Sequence, residues 1–359
     1  MYDDLIFVSQ KKRTQRIIEK IWGKTPLFVC VIANTEVGKI KGISAAGANP
    51  NFTDLTPPAD VELVELGKCR CINGVPVTPE GIPTPAIITR ASLNLANIPF
   101  LTINAGLNIL PQIPFVDVGG KAGGDIRKKQ AVVSPQGTFK KARIIGKNLA
   151  KICDYLVVGE SIAGGTTTAL GVLVGLGYDA LGKVSSSMPN NPHTIKMEVV
   201  KQALKKLNDR NVFSVIREMG DPMIPVHAGI CVGAAKEIPV LMAGGTQMAA
   251  ILAVIKEVEK KIVNNLAIAT TNWIINDKTS DLSGLINEIL SIPIIATKLS
   301  FVNSKYVGLQ AYEKGFVKEG VGAGGAVIAA YIKSKGKINS DKILKEIEKI
   351  YEGLRPNKI

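Results

Sequence analysis

The hydrophobic positions of this chain fall into short unbroken runs, several of them closed by glycine or asparagine. Leu27 to Ala33, Phe100 to Ile103, Tyr155 to Val158, Pro239 to Met242, Leu266 to Thr270 and Pro293 to Ala296 all read this way. Runs of this length predict strands buried on both faces. Val61 to Leu66 alternates and predicts a further short strand; Phe115 to Val118 predicts another. Between the runs the pattern becomes helical: Pro83 to Asn97, Lys140 to Lys151, Thr167 to Leu176, His193 to Leu207, Pro225 to Lys236 and Gln247 to Lys261. Residues 1–23 read as an amphipathic helix, with Ile17, Ile18 and Ile21 on one side. Residues 34–58 are rich in Gly, Asn and Pro and predict a loop.

Strands alternating with helices predict an α/β fold. Its expected form is an open, mostly parallel sheet flanked by helices, Rossmann-like and three-layered. The expected division is a large α/β domain over 24–325 and a small helical subdomain from 1–23 with 326–359. The composition fits: 46% of residues are hydrophobic and only 5% aromatic, so the core is aliphatic.

Charge narrows the function less than its size suggests. The net charge is +14, which raises nucleic acid as a partner. The lysines, however, alternate with Glu and apolar residues on helix-like segments, and no basic patch is interleaved with aromatics. An anionic small molecule is the expected partner, and nucleic acid is not. Five scattered cysteines and no secretory signal predict a reduced, cytoplasmic protein. Two histidines and an isolated Cys69-Arg70-Cys71 predict no metal site, and no cofactor is expected. The apolar stretch Ile238 to Ile255 is split by Gly244-Gly245-Thr246-Gln247, so it predicts a strand and a helix rather than a membrane span.

Two glycine-rich loops carry the candidate chemistry. One is Glu319-Gly320-Val321-Gly322-Ala323-Gly324-Gly325, feeding the apolar run Ala326 to Ile332. The other is Gly159 to Thr168, with Glu160 near its start and Gly164-Gly165-Thr166-Thr167 after it. Glycines admit close backbone approach, and a helix N-terminus favours an anion. Gly320-x-Gly322-x-x-Gly325 matches a dinucleotide fingerprint by letter, but it follows a helix-like segment, not a strand. The Gly159 loop lacks the lysine of a nucleoside-triphosphate loop, which leaves a monophosphate cradle or a plain strand-to-helix turn. Glu160 and Glu319 are candidates for a general base raised by burial, or else partners of a lysine or a helix end. His193 reads as exposed at a helix start, and His227 as a core histidine.

In order along the chain, these segments resemble the nicotinate-nucleotide–dimethylbenzimidazole phosphoribosyltransferase family, in its archaeal branch. The resemblance is carried by Val116-Asp117-Val118-Gly119, Gly159 to Thr168, Ile238 to Gly244 and Val317 to Ala323. It implies transfer of the phosphoribosyl group of nicotinate mononucleotide to a benzimidazole-type base, giving α-ribazole 5′-phosphate and nicotinate for the lower ligand of a cobamide. It also implies Glu319 as general base, Glu160 flanking the reacting centre and Lys196 near it. Phosphate and ribose would fall to Gly159, Gly164, Gly165, Thr166, Thr167, Gly244, Gly245, Thr246, Gly320 and Gly322. Thr84, Ser92 and Asn104 would serve the acceptor base. The family is typically dimeric, so a homodimer is expected. The chain departs from the bacterial pattern at Gly165, Ala243 and Ser92 and over Ala267 to Trp273. These departures bear on the acceptor more than the donor: another base such as adenine, or a non-catalytic mononucleotide-binding protein, are the alternatives.

Overall fold

A computed structural model describes residues 2–47, 52–128 and 130–354. In chain order the elements are β1 (Leu5–Ser9), α1 (Lys11–Ile21), β2 (Pro26–Ala33), α2 (Thr56–Leu66), α3 (Ala86–Ala96), β3 (Phe100–Gly106) and β4 (Val116–Asp117). There follow α4 (Pro135–Leu149), β5 (Tyr155–Ser161), α5 (Gly165–Gly175), α6 (His193–Leu204), α7 (Val212–Met219), α8 (Met223–Ala234), β6 (Val240–Ala243) and α9 (Gln247–Glu259). The last group is β7 (Leu266–Thr271), α10 (Asn272–Ile275), α11 (Leu282–Ile289), β8 (Ile294–Thr297), α12 (Val307–Gln310), α13 (Ala323–Lys333) and α14 (Ser340–Leu354).

The strands form one sheet in the order β1-β8-β7-β6-β5-β2-β3-β4. All its pairings are parallel except β1 against β8. Period-two alternation separates the two faces of the sheet. On β2, Leu27, Val29, Val31 and Ala33 enter one core, and Phe28, Cys30 and Ile32 enter the other. On β6, Val240 and Met242 face the first core, and Leu241 and Ala243 the second. The first core is covered by α4 to α9 and α11, the second by α1, α2, α3, α13 and α14. This is the expected three-layer α/β architecture.

Strand order reverses between β2 and β5. From β2 the chain moves outward through β3 and β4; from β5 it moves the other way through β6, β7 and β8. Open α/β sheets bind ligands beyond the strand ends at such a point.

Three expectations are corrected. Residues 1–23 are not one helix: Leu5–Ser9 is an edge strand, pairing Leu5 with Thr297, and α1 follows. The expected helical subdomain therefore shares the sheet, and α13 packs directly against β5 to β8. Val61 to Leu66 is not a strand but the end of α2, entered through Pro57 and Pro58, which the first helical turn tolerates. Its inward Glu62 is satisfied by the backbone amides of Arg70, Cys71 and Gln112. Third, α7 lies where no helix was expected. The loop expected over 34–58 holds a short 3-10 turn at Glu36–Lys39 and the start of α2. Residues 48–51 of it, and residues 1 and 355–359 of the termini, lie outside the described residues. No helix among the described residues is long and apolar enough to cross a membrane.

Candidate active site

A cleft opens beyond the carboxyl ends of the strands, enclosing about 900 Å³ of space that is partly open to solvent. Both glycine loops line it. β5 delivers Glu160 and Ser161; the chain then turns through Gly164 into α5. Gly164 has φ +84°, and a Cβ there would stand 2.6 Å from the Gly38 backbone nitrogen. Only glycine fits that turn. The first amides of α5, at Gly165 and Thr166, therefore border the cleft at a helix N-terminus, where an anion is favoured.

The second loop is pinned to the first. The Val321 amide donates to the Glu160 carbonyl at 2.9 Å, and Thr89 Oγ1 donates to the Val321 carbonyl at 3.0 Å. Glu319 is bracketed by two strained residues: Val317 at φ +43° and Val321 at φ +54°. A β-branched residue at positive φ costs about 1–3 kcal/mol. Strain on both sides of one carboxylate marks that loop as held for its geometry. Below it, Gly324 abuts β7 so closely that a Cβ would sit 2.1 Å from the Thr270 carbonyl carbon.

Glu319 accepts from the amides of Gly320 (3.3 Å) and Gly324 (3.2 and 3.3 Å), so it does cap the start of α13. Those bonds favour the carboxylate, but burial outweighs them and pushes the group up to about 8. It has no cationic partner among the described residues. Glu160, 4% exposed, is also pushed up to about 8, chiefly by burial. The Gln247 amide beside it works the other way, while the negative charge of Glu319 adds to the rise. Two raised carboxyls make the folded chain the tighter proton binder. Stability is then full below about 4.5, the ordinary glutamate value, and is lost as pH rises through about 8. The melting temperature of the free protein is accordingly expected to fall between pH 5 and 8.5. Glu319→Gln should flatten that fall and raise Tm at pH 8.5 by about 2 °C or more; an unchanged profile by calorimetry contradicts the assignment of burial.

Lys196 stands behind the first loop rather than in the cleft. Its Nζ donates to Thr166 Oγ1 at 2.8 Å and to the Ser185 carbonyl. Burial, reinforced by neighbouring Lys318, lowers it to about 7. Lys318 is itself buried, paired with Asp277 at 3.1 Å and bonded to the Met188 carbonyl at 2.8 Å. It ties the segment carrying Ser185, Ser186 and Ser187, which line the cleft, to the Glu319 loop.

Of the residues expected from sequence, Glu160, Glu319, Gly164, Gly165, Thr166, Gly245, Gly320 and Thr84 line the cleft. The others lie outside its lining. Gly159 and Gly322 pack against each other: a Cβ on Gly159 would meet Gly322 Cα at 3.0 Å. Thr167 is wholly buried in α5, and Gly244 follows β6 with its amide on the Ala269 carbonyl at 3.0 Å. The Thr246 hydroxyl is bonded to the Ser185 amide at 2.9 Å. Ser92 is buried in α3 with its hydroxyl on the Ile88 carbonyl at 2.8 Å, and Asn104 accepts from the Gly106 amide at 2.9 Å. Sequence reasoning missed Asp60, Ser161 and Gln247, all of which line the cleft. Gln247 follows the Gly-Gly-Thr turn, and that position was its only signal. His193 bonds the Thr279 carbonyl at 2.7 Å and His227 the Val158 carbonyl at 2.9 Å, both away from the lining. Among the described residues no Lys, Arg or His lines the cleft, so the positive excess of those residues is not spent there.

The cleft thus brings together the first amides of α5, two raised carboxyls and aliphatic walls. That inventory suits displacement at a sugar carbon: it holds a phosphate, aligns a nucleophile and accepts a proton.

Comparison with known proteins agrees with the expected family. A phosphoribosyltransferase family model matches residues 120–271. A UPF0284 protein of Sulfolobus acidocaldarius is 51% identical over 343 residues, covering 94% of this chain and 99% of that one. A UPF0284 protein of Methanocaldococcus jannaschii is 45% identical, covering 93% and 96%. In fold, the chain is similar to the crystal structure of nicotinate-nucleotide-dimethylbenzimidazole phosphoribosyltransferase from Thermus thermophilus. The TM-score is 0.60 at 15% identity, over 91% of this chain and 92% of that one.

Proposed function

Because this chain belongs to the UPF0284 proteins, an archaeal branch of the nicotinate-nucleotide–dimethylbenzimidazole phosphoribosyltransferase family, we propose that it transfers the phosphoribosyl group of nicotinate mononucleotide to a benzimidazole-type base. The products are α-ribazole 5′-phosphate and nicotinate, as in assembly of a cobamide lower ligand. One observation carries the reading: Glu319, raised to about 8 and lacking a cationic partner among the described residues, lines the same cleft as the amides at the start of α5.

The chemistry follows from that pairing. The 5′-phosphate rests on the amides of Gly165 and Thr166, with Thr166 held from behind by Lys196. The acceptor nitrogen attacks C1′ as the glycosidic bond to the pyridinium breaks. That leaving group departs neutral in its ring, so no acid is needed. The proton of the acceptor's other ring nitrogen goes to Glu319. Glu160, partly negative as the pH rises, steadies positive charge at the ribose. The pyridinium of the bound donor favours the ionised form of Glu319, so the base is ready at lower pH with substrate bound than without it. The reading carries with it a cytoplasmic location and a homodimer; light scattering of the purified protein checks the second.

A crystal structure with nicotinate mononucleotide tests the arrangement. The phosphate is expected at Gly164 to Thr166 with C1′ facing Glu319; a phosphate seated elsewhere in the cleft contradicts the reading.

A further inference from the structure

Asp60 has no role in the scheme above, yet it is a buried carboxylate on the wall of the cleft, 3% exposed. Among the described residues it has no ion-pair partner. It takes two hydroxyls instead: Thr84 Oγ1 donates to its Oδ1 at 2.6 Å, and Ser161 Oγ donates to its Oδ2 at 2.7 Å. Three separate elements meet there, α2, the turn into α3, and the end of β5. Burial raises Asp60 to about 6, which leaves it ionised at neutral and alkaline pH.

An ionised carboxylate has no proton to give, so both hydroxyls must donate to it. A hydroxyl has one proton. With that proton committed, each oxygen can meet a ligand only as an acceptor. The Thr84 oxygen also receives the Ala86 amide at 3.2 Å, which leaves it one lone pair; the Ser161 oxygen makes no second hydrogen bond among the described residues and keeps both. The surroundings say what lies against them. Thr84 belongs to the segment that lines the cleft with Pro76, Val77, Ile82 and Pro85, its arms joined by a bridge between Val77 and Pro83. That is a largely aliphatic slot suited to a flat ring; the Thr78 hydroxyl in it already accepts from the Glu80 and Ile82 amides, so Thr84 and Ser161 are the oriented acceptors it offers a ligand.

We propose that Asp60 is a specificity-determining positioning residue: it fixes the Thr84 and Ser161 hydroxyls as hydrogen-bond acceptors, so that the slot prefers acceptor bases carrying an N–H donor on the edge away from the reacting nitrogen. The inference rests on the transferase reading and extends it to the class of base. A site built to accept from a ligand N–H rejects the near-isosteric methyl compound, because its lone pairs are then left buried and unpaired.

The test compares kcat/KM for 5-aminobenzimidazole with that for 5-methylbenzimidazole. The wild-type protein is expected to favour the amino compound by about tenfold or more. Asp60→Asn replaces one carboxylate oxygen with an N–H donor, which turns one hydroxyl proton into the slot; the ratio should fall at least about fivefold. Ser161→Ala, a smaller change, should lower it in the same direction. A merely structural role for Asp60 lowers both rates together and leaves their ratio alone. A wild-type ratio near one, or a ratio preserved in both variants, overturns the proposal while the transferase reading stands. If the wild-type protein turns over no base, the transferase reading fails, and the same ratios measured as Kd by calorimetry decide on Asp60.

Discussion

Glu319→Gln is expected to lower kcat by about 10²- to 10⁴-fold while leaving the affinity for nicotinate mononucleotide within a few-fold. The substitution keeps the shape and one acceptor oxygen, so a glutamine can still receive the Gly324 amide that Glu319 receives now. What it removes is the ability to take up a proton as the base attacks. A side chain that only capped α13 would show the opposite pattern, with stability falling and kcat nearly intact. The pH profile adds a second check. In the free protein Glu319 sits near 8, so kcat/KM should fall as pH drops below that value and the carboxylate protonates. The bound donor is cationic in its ring, so the corresponding limb of kcat should lie at lower pH. The variant should lose this limb altogether.

Gly164→Ala should raise KM for nicotinate mononucleotide by about 100-fold or more, the equivalent of losing two charge-assisted hydrogen bonds. The residue adopts φ +84°, and the added methyl would collide with the Gly38 backbone, 2.6 and 2.7 Å from its nitrogen and Cα. Backbone cannot step aside as a flexible side chain does. The turn must open, and the amides of Gly165 and Thr166 lose their common aim. Gly182→Ala is the control: its Cβ would meet nothing within 4 Å, and although φ is +74° it lies outside the lining of the cleft. It should cost some stability and leave KM unchanged. Equal KM values for the two variants would mean that the phosphate is held elsewhere.

Much of the fold was legible because β2 and β5 to β8 are buried on both faces, which forces unbroken aliphatic runs. β1 was not legible. It is a five-residue edge strand whose partner β8 lies almost the whole chain away, and the amphipathic α1 begins two residues later. α2 looked like a strand because Val61-Glu62-Leu63 alternates. The alternation means nothing there, since Asp60 and Glu62 are as buried as the valines between and after them. In the site, the glycine loops announced themselves because close backbone approaches at Gly164, Gly322 and Gly324 leave room for glycine alone. Asp60 and Lys318 announced nothing. A buried acid held by two hydroxyls, or a lysine held by Asp277 some forty residues earlier, reads in sequence like any surface charge. Their partners come from other elements, and only the fold brings them together. Lys196 is intermediate: the family resemblance placed it near the reaction, and the structure sets it one residue back, behind Thr166.

Group transfer is measured directly by a mass balance. The protein is incubated with nicotinate mononucleotide and dimethylbenzimidazole, and nicotinate and phosphoribosylated base are quantified together. Equal amounts of the two products are expected, with none formed without the base and a rate near background for Glu319→Gln. Nicotinate release that proceeds without any acceptor, or tight binding of the nucleotide with no release across a panel of bases, would contradict group transfer.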